Sequence, residues 1–431
     1  MRHTLLAVCV AAALAGCGEK AAKPESASAV ATVADTQAAQ SWLKANVKPL
    51  NSLSAGEGVD NADLAEFASA IGDAKVVVLN ESHYADANAF ELMNRLVQYL
   101  HQQQGFDVLL IESAMFDVDG MWRSAVDKNA SLAELAPGRV FYMYSQTESG
   151  RKVLQYLDQA RTTAQPLQLA GFDIPLAGAS STHDLLPLLE AFLKQRGSSV
   201  VSQPAWAEYL AVAKKAISLN SEGAKLAEFN QVSAQLEKEL CSDTAQPADV
   251  RQSAGWWCRQ VRGIATNVMR QQHREDKNYD YRDTAMADNA SWLLDNVFAG
   301  HKVIVWTNAA HGIPATTGTN PDTKQAIHSF GWHLQAKLGK DLYIASLLPL
   351  GGQINKYWDQ GTAPVQWPAD ALASALKAAG LVQGFVNAPQ DPAAVAGLSG
   401  PVLGKDLNGV FFYNEAKPAT QGQYPILPLP N

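Results

Sequence analysis

The sequence predicts an α/β protein, a mostly parallel central sheet flanked by helices, with a helical insertion over the C-terminal edge of the sheet. Three observations predict it. Short aliphatic runs stop abruptly at polar tips, as strands buried on both faces do. Segments with apolar residues at helical spacing separate those runs, and the resulting order βαβαβ favours parallel strands joined by crossovers. Residues 181–272 then carry long helical patterns and no convincing strand.

Ahead of the domain, Arg2 and His3 precede an apolar run over residues 5–14, too short to span a bilayer as a helix. Residues 1–16 therefore read as an export signal. The run ends at Leu14-Ala15-Gly16-Cys17, which resembles a bacterial lipobox, so cleavage before Cys17 and lipidation of that residue are expected. Gly18 stands where an aspartate would retain such a protein at the inner membrane, so an outer-membrane lipoprotein facing the periplasm is the expected location. Residues 17–40 are rich in Ala, Ser, Lys and Glu and read as a flexible tether. Residues 41–431 form one domain.

Net charge is −8 with a pI near 5.6, and Lys and Arg form no block. A nucleic-acid partner is therefore not indicated, and any membrane attachment comes from the lipid. Cys9 leaves with the signal and Cys17 is lipidated. Cys241 and Cys258 remain, and in an oxidising periplasm they are expected to form a disulfide stabilising the chain by about 3 kcal/mol.

In chain order, Asn61, Leu64, Phe67, Ala68, Ile71 and Gly72 mark a capped amphipathic helix. The run Val76-Val77-Val78-Leu79 is the first buried strand, stopping at Asn80-Glu81-Ser82-His83. Phe90, Met93, Val97 and Leu100 give a helix over residues 85–103, closed near Gly105. The second strand, 107–111, stops at Glu112. After a loop containing Gly and Trp, a helix over 147–164 leads to a third strand, 167–172, stopping at Asp173. Four helical segments follow in the insertion, at 184–195, 205–219, 222–240 and 248–269. A helix at 278–297 carries Arg282 and Asn289 on nearly one face, and the strand 302–306 stops at Thr307-Asn308-Ala309-Ala310-His311. A helix at 325–338, a strand at 342–348, a helix at 369–379 and strand-like runs at 381–387 and 410–413 complete the chain.

Four tips thus bring Glu81 with His83, Glu112, Asp173, and Asn308 with His311 to one rim, where open α/β sheets bind ligands. Two imidazoles and several carboxylates in a partly dry cleft shift one another's pKa and leave a histidine able to take a proton near neutral pH. Such a group suits attack of water on a carbonyl or phosphoryl centre. A divalent metal at Glu81, His83 and His311 is compatible with the residue types, but no HExxH motif fixes ligand geometry, and no cofactor is required. No G-x-S-x-G elbow is present, and Ser41-x-x-Lys44 lies beside the tether without its companion motifs.

The stretch VVVLNESHYADANAFELMNRL resembles the first motif of the erythromycin esterase-like proteins. LLIESA, AGFDI, YRDTAMADNASWLL, VIVWTNAAHGI and SFGWHLQAKLG resemble the later ones, in the same order. The resemblance implies a fold of the esterase and ChaN-like superfamily in which a histidine-activated water opens an ester or lactone of a small-molecule substrate, without a required metal. It departs at named positions: Asn80 replaces the glycine before the glutamate, Tyr84 aligns with the family histidine so that His83 is displaced by one, and Ala87 stands where an arginine is expected. Asn308 replaces the first of two later histidines, leaving His311. On this reading His83 is the general base, Glu81 and Glu112 tune it, and His311 is a second acid/base. Asp173, Arg282 and Asn308 are substrate or oxyanion contacts. A ChaN-like haem- or metal-binding lipoprotein and a metal-dependent peptidase are the rival readings.

Overall fold

The computed structural model describes residues 33–430 except 57, 244, 246–247 and 357–360. The signal segment and Cys17 lie outside the described residues. Eight strands form the central sheet: β1 (Lys48–Pro49), β2 (Val76–Glu81), β3 (Val108–Ala114), β4 (Gln168–Asp173), β5 (Val303–Asn308), β6 (Leu342–Pro349), β7 (Gly384–Asn387) and β8 (Gly409–Tyr413). Their order is β1-β7-β8-β6-β2-β5-β3-β4. Every neighbouring pair from β8 to β4 is parallel, whereas β7 pairs antiparallel with both β8 and β1.

Helices cover both faces because the strands are apolar on both. Val76, Val78, Val108, Leu110, Val303 and Val305 point into one core, shared with the insertion and the Arg282–Asn296 helix. Val77, Leu79, Leu109, Ile111, Ile304 and Trp306 point into the other, with the Ala87–Gln104 and Arg151–Ala160 helices. The Ala87–Gln104 helix starts where Asp86 accepts the Asn88 amide at 3.0 Å and ends at Gly105, whose φ of 71° suits a residue without Cβ.

The insertion folds as the Leu185–Gln195, Ala205–Ile217, Ala227–Leu240 and Ala254–Gln272 helices. The Cys241–Cys258 disulfide joins the last two, with Cα atoms 5.1 Å apart. Three expectations need correction. Residues 33–40, expected in the tether, belong to the Val33–Asn46 helix, which buries Ala39 and Leu43 completely. The loop after β3 is the Met115–Lys128 helix, whose Phe116, Val118 and Met121 are core residues. The helix expected from residue 325 begins at Phe330; Ala326–His328 is instead a strand paired with Thr316–Thr319, and Ser329 caps the helix by accepting from Trp332 N at 3.3 Å.

Candidate active site

Register decides which core each rim carboxylate faces. Leu79, Ile111 and Trp306 are level across β2, β3 and β5. One residue later come Asn80, Glu112 and Thr307, and side chains one residue apart on a strand point to opposite faces. Glu112 therefore continues the face of Val108 and Leu110, while Glu81 continues the face of Val77 and Leu79. The two glutamates, equivalent in the sequence pattern, emerge on opposite sides of the sheet.

Glu81 is completely buried and accepts from the Tyr144 hydroxyl at 2.6 Å and from the Trp306 indole N–H. Burial pushes its pKa well above the ordinary carboxylate range, and the two donors offset this only in part. His83 does not join it. The imidazole lies 5.6 Å from the Trp367 ring between centroids, and its buried Nε2 has no hydrogen-bond partner among the described residues. Burial lowers its pKa.

The other face holds a dense charged network. Glu112 accepts from Tyr84 Oη (2.7 Å), Thr307 Oγ1 (2.7 Å), the Asn308 amide (2.8 Å) and Arg282 Nη2 (3.2 Å). Burial opposes its ionisation, but His311, Arg282 and these donors outweigh burial and lower its pKa. Arg282, at the first turn of its helix, also donates Nε to Asp173 Oδ1 at 3.1 Å and Nη2 to Asp173 Oδ2. Two carboxylates thus hold the guanidinium in a fork, the geometry arginine suits best.

His311 stands beside this pair. Its Nδ1 is 2.5 Å from Asp283 Oδ1, and its Nε2 is 3.0 Å from Arg282 Nη1 and 3.6 Å from Glu112 Oε1. Arginine can only donate, so the short Nε2 contact describes a neutral ring with the proton on Nδ1, fixed by Asp283. Burial disfavours the charged ring; Glu112, with help from Asp283, overrides burial and Arg282 and raises its pKa. The two statements agree if Nε2 turns from Arg282 towards Glu112 on protonation.

Asp283, Tyr84 and Thr307 had no assigned role in the sequence pattern. The only signal for Asp283 is its place beside Arg282 in YRDTAMADN. Asn308 caps the Ala309–Gly312 turn, its Oδ1 accepting from Ala310 N at 3.0 Å, and Asn289 donates to the Phe172 carbonyl at 3.1 Å. Glu81, His83 and His311 form no metal cage, since Glu81 faces the opposite core and His83 packs on Trp367. Tyr84, Glu112, Asp173 and Arg282 form part of the lining of a cavity of about 750 Å³. Further lining comes from Arg139 to Tyr142 and from the insertion, at Leu219, Asn220, Arg270 and Gln271.

The family model for erythromycin esterase matches residues 101–424. The chain belongs to the erythromycin esterase family. By that membership it is a hydrolase, and the matched segment contains Glu112, Asp173, Arg282 and His311 but begins after β2. Among curated proteins, the putative hydrolase YbfO of Bacillus subtilis (strain 168) is 22% identical over 373 residues, covering 80% of each chain. Solved structures share the erythromycin esterase-like fold. A Bacillus cereus protein has TM-score 0.68 at 17% identity, covering 90% of this chain and 99% of its own. A succinoglycan biosynthesis protein has TM-score 0.65 at 14% identity, covering 89% and 98%. A histidine-to-asparagine mutant of the erythromycin esterase EreC in its open conformation has TM-score 0.64 at 15% identity, covering 87% and 98%.

Proposed function

We propose that this protein hydrolyses an ester or lactone of a small-molecule substrate with a water activated by His311, and that it does so as a lipoprotein at the periplasmic face of the outer membrane. The observation that carries the reaction is the Asp283–His311 pair beside Glu112 and Arg282. Asp283 keeps the proton on Nδ1, which leaves the Nε2 lone pair to act as base. A water gives its proton to Nε2 as its oxygen bonds to the carbonyl carbon, and the carbonyl π pair moves to oxygen. Arg282 Nη1, released from Nε2, is the donor offered to the developing oxyanion. The imidazolium, stabilised by Glu112 and Asp283, then returns its proton to the leaving alkoxide as the tetrahedral centre collapses.

This reading moves the base from His83 to His311. His83 has the residue type and a lowered pKa, but among the described residues no carboxylate orients it. The test is an ester and lactone screen with the wild type and with His311→Asn and His83→Ala variants, run with and without chelator. Turnover should disappear in the His311 variant, persist in the His83 variant, and be indifferent to chelator. Loss in the His83 variant alone would return the role to that residue. Lipidation is tested separately by metabolic labelling with a fatty acid, which should mark the wild type and not Cys17→Ser.

A further inference from the structure

We infer that the cavity recognises a substrate carrying an oxyanion, a carboxylate or phosphate, and that Arg139 is the residue that binds it. The inference rests on reading this cavity as the substrate site of a hydrolase. Arg139 lines the cavity, yet only 6% of the residue is exposed. Among the described residues its guanidinium bonds neutral acceptors: Nε to Ser180 Oγ at 3.2 Å, Nη1 to the Leu135 carbonyl at 2.9 Å and Nη2 to the Leu427 carbonyl at 2.9 Å. These use three of the five N–H donors that a guanidinium carries. Asp117 and Asp184 act on it only at longer range, and Asp117 is committed to the amides of Ser180 and Ser181 and to the Ser181 hydroxyl.

A buried cation without a bonded counter-ion is costly, and an anionic ligand would supply the missing charge. The other cationic group near the floor, Arg282, is already held by Glu112 and Asp173, and Arg270 at the wall is paired with Asp280 at 2.7 Å. Glu222 and Asp276 also line the cavity, but both are exposed, where solvent screens them. Arg274 and Lys277 line the cavity too, on exposed positions where solvent screens them, so Arg139 is the buried lining cation that has no ion pair among the described residues. Its wall is tied to the floor, because the Phe141 amide donates to Ser113 Oγ at 2.9 Å, next to Glu112. An anionic group at Arg139 would keep the rest of the ligand in the cavity that Glu112 and Arg282 also line.

The test is calorimetric binding to the full-length protein of non-hydrolysable amide analogues carrying a carboxylate, a phosphate or, as the neutral twin, a carboxamide. The anionic analogues should bind about tenfold or more tighter than the carboxamide, as expected for a charged hydrogen bond, and Arg139→Met should bring all three together. The ratio between carboxylate and phosphate identifies the oxyanion. Equal binding of all three by the wild type overturns the inference, and so does a preference that survives in a folded Arg139→Met. If that variant does not fold, the wild-type ratio alone decides. Selective binding without turnover of the matching esters would uphold the anion site and sink the proposed ester hydrolysis in this cavity instead.

Discussion

Two carboxylates one strand apart have been given opposite chemistry by a single step of register. Glu112, on the face shared with the Arg282–Asn296 helix, is held ionised by Arg282, His311, Tyr84 and a backbone amide. Glu81, on the opposite face, accepts from the neutral donors Tyr144 and Trp306, and burial, with the Glu112 charge adding to it, raises its pKa. The same difference separates the histidines. His311 is oriented by Asp283 and touches the charged network; His83 packs on an indole with one ring nitrogen unsatisfied. Residue type at the tip of a strand names the candidates, and the neighbours on its face decide which of them can move a proton.

The largest expected effect comes from removing the base on the Glu112 side. His311→Asn should lower kcat/KM by about 10³-fold or more, in line with general-base contributions, with no change in the circular-dichroism melt. His83→Ala should cost less than about tenfold. Equal losses in the two variants would break the contrast between the two faces. Asp283→Asn comes next. It removes the carboxylate charge and can present an amide N–H in place of an oxygen to Nδ1, favouring the wrong tautomer, and a loss on the order of 10²-fold in kcat is expected while KM stays nearly constant. A KM effect alone would mean that Asp283 acts on binding.

Glu112→Gln should sharpen the comparison through pH. His311 works as a base only when neutral, so activity falls as pH drops through its pKa, which lies above the ordinary 6.5. Burial acts to lower that pKa, and Glu112 is the largest influence raising it. Removing the Glu112 charge should therefore move the acid limb of the kcat/KM profile to lower pH, besides reducing its height. An acid limb that stays in place would show that another group titrates there.

Much of this arrangement was legible in the residues. The aliphatic runs ending at Glu81, Glu112, Asp173 and Asn308 do end at one rim, and the helical block lines the cavity there. The side of the sheet was not legible. Strand ends are uncertain by a residue or two in a sequence, and at period two a single residue reverses the face. Taking 76–79 as the strand hid the fact that β2 continues to Glu81, and the polar loop expected there is paired backbone. Asp283 was hidden for another reason: its partner is 28 residues away on a different element, and no local pattern marks a contact that packing creates. The Met115–Lys128 helix follows β3 with no intervening loop, and Gly120 within it weakens the helical signal of the sequence.

The smallest effect, and the one that isolates the quiet face, is Glu81→Gln. Glu81 accepts from both Tyr144 and Trp306, and glutamine is the neutral group of the same shape on a face away from the base, so activity should change by less than about twofold. Stability carries the sharper signature. A carboxyl whose pKa is raised on folding holds its proton in the folded state over a range where the unfolded chain has lost it. Its contribution is complete below the unfolded value and falls as pH rises towards the folded one. The wild type should therefore lose stability from about pH 4 upwards through this group, where an unfolded glutamate deprotonates. Glu81→Gln removes that loss, so its Tm relative to wild type should rise with pH across the window. If the difference instead falls with pH, Glu81 is ionised in the fold and the two faces differ less than their hydrogen bonds imply.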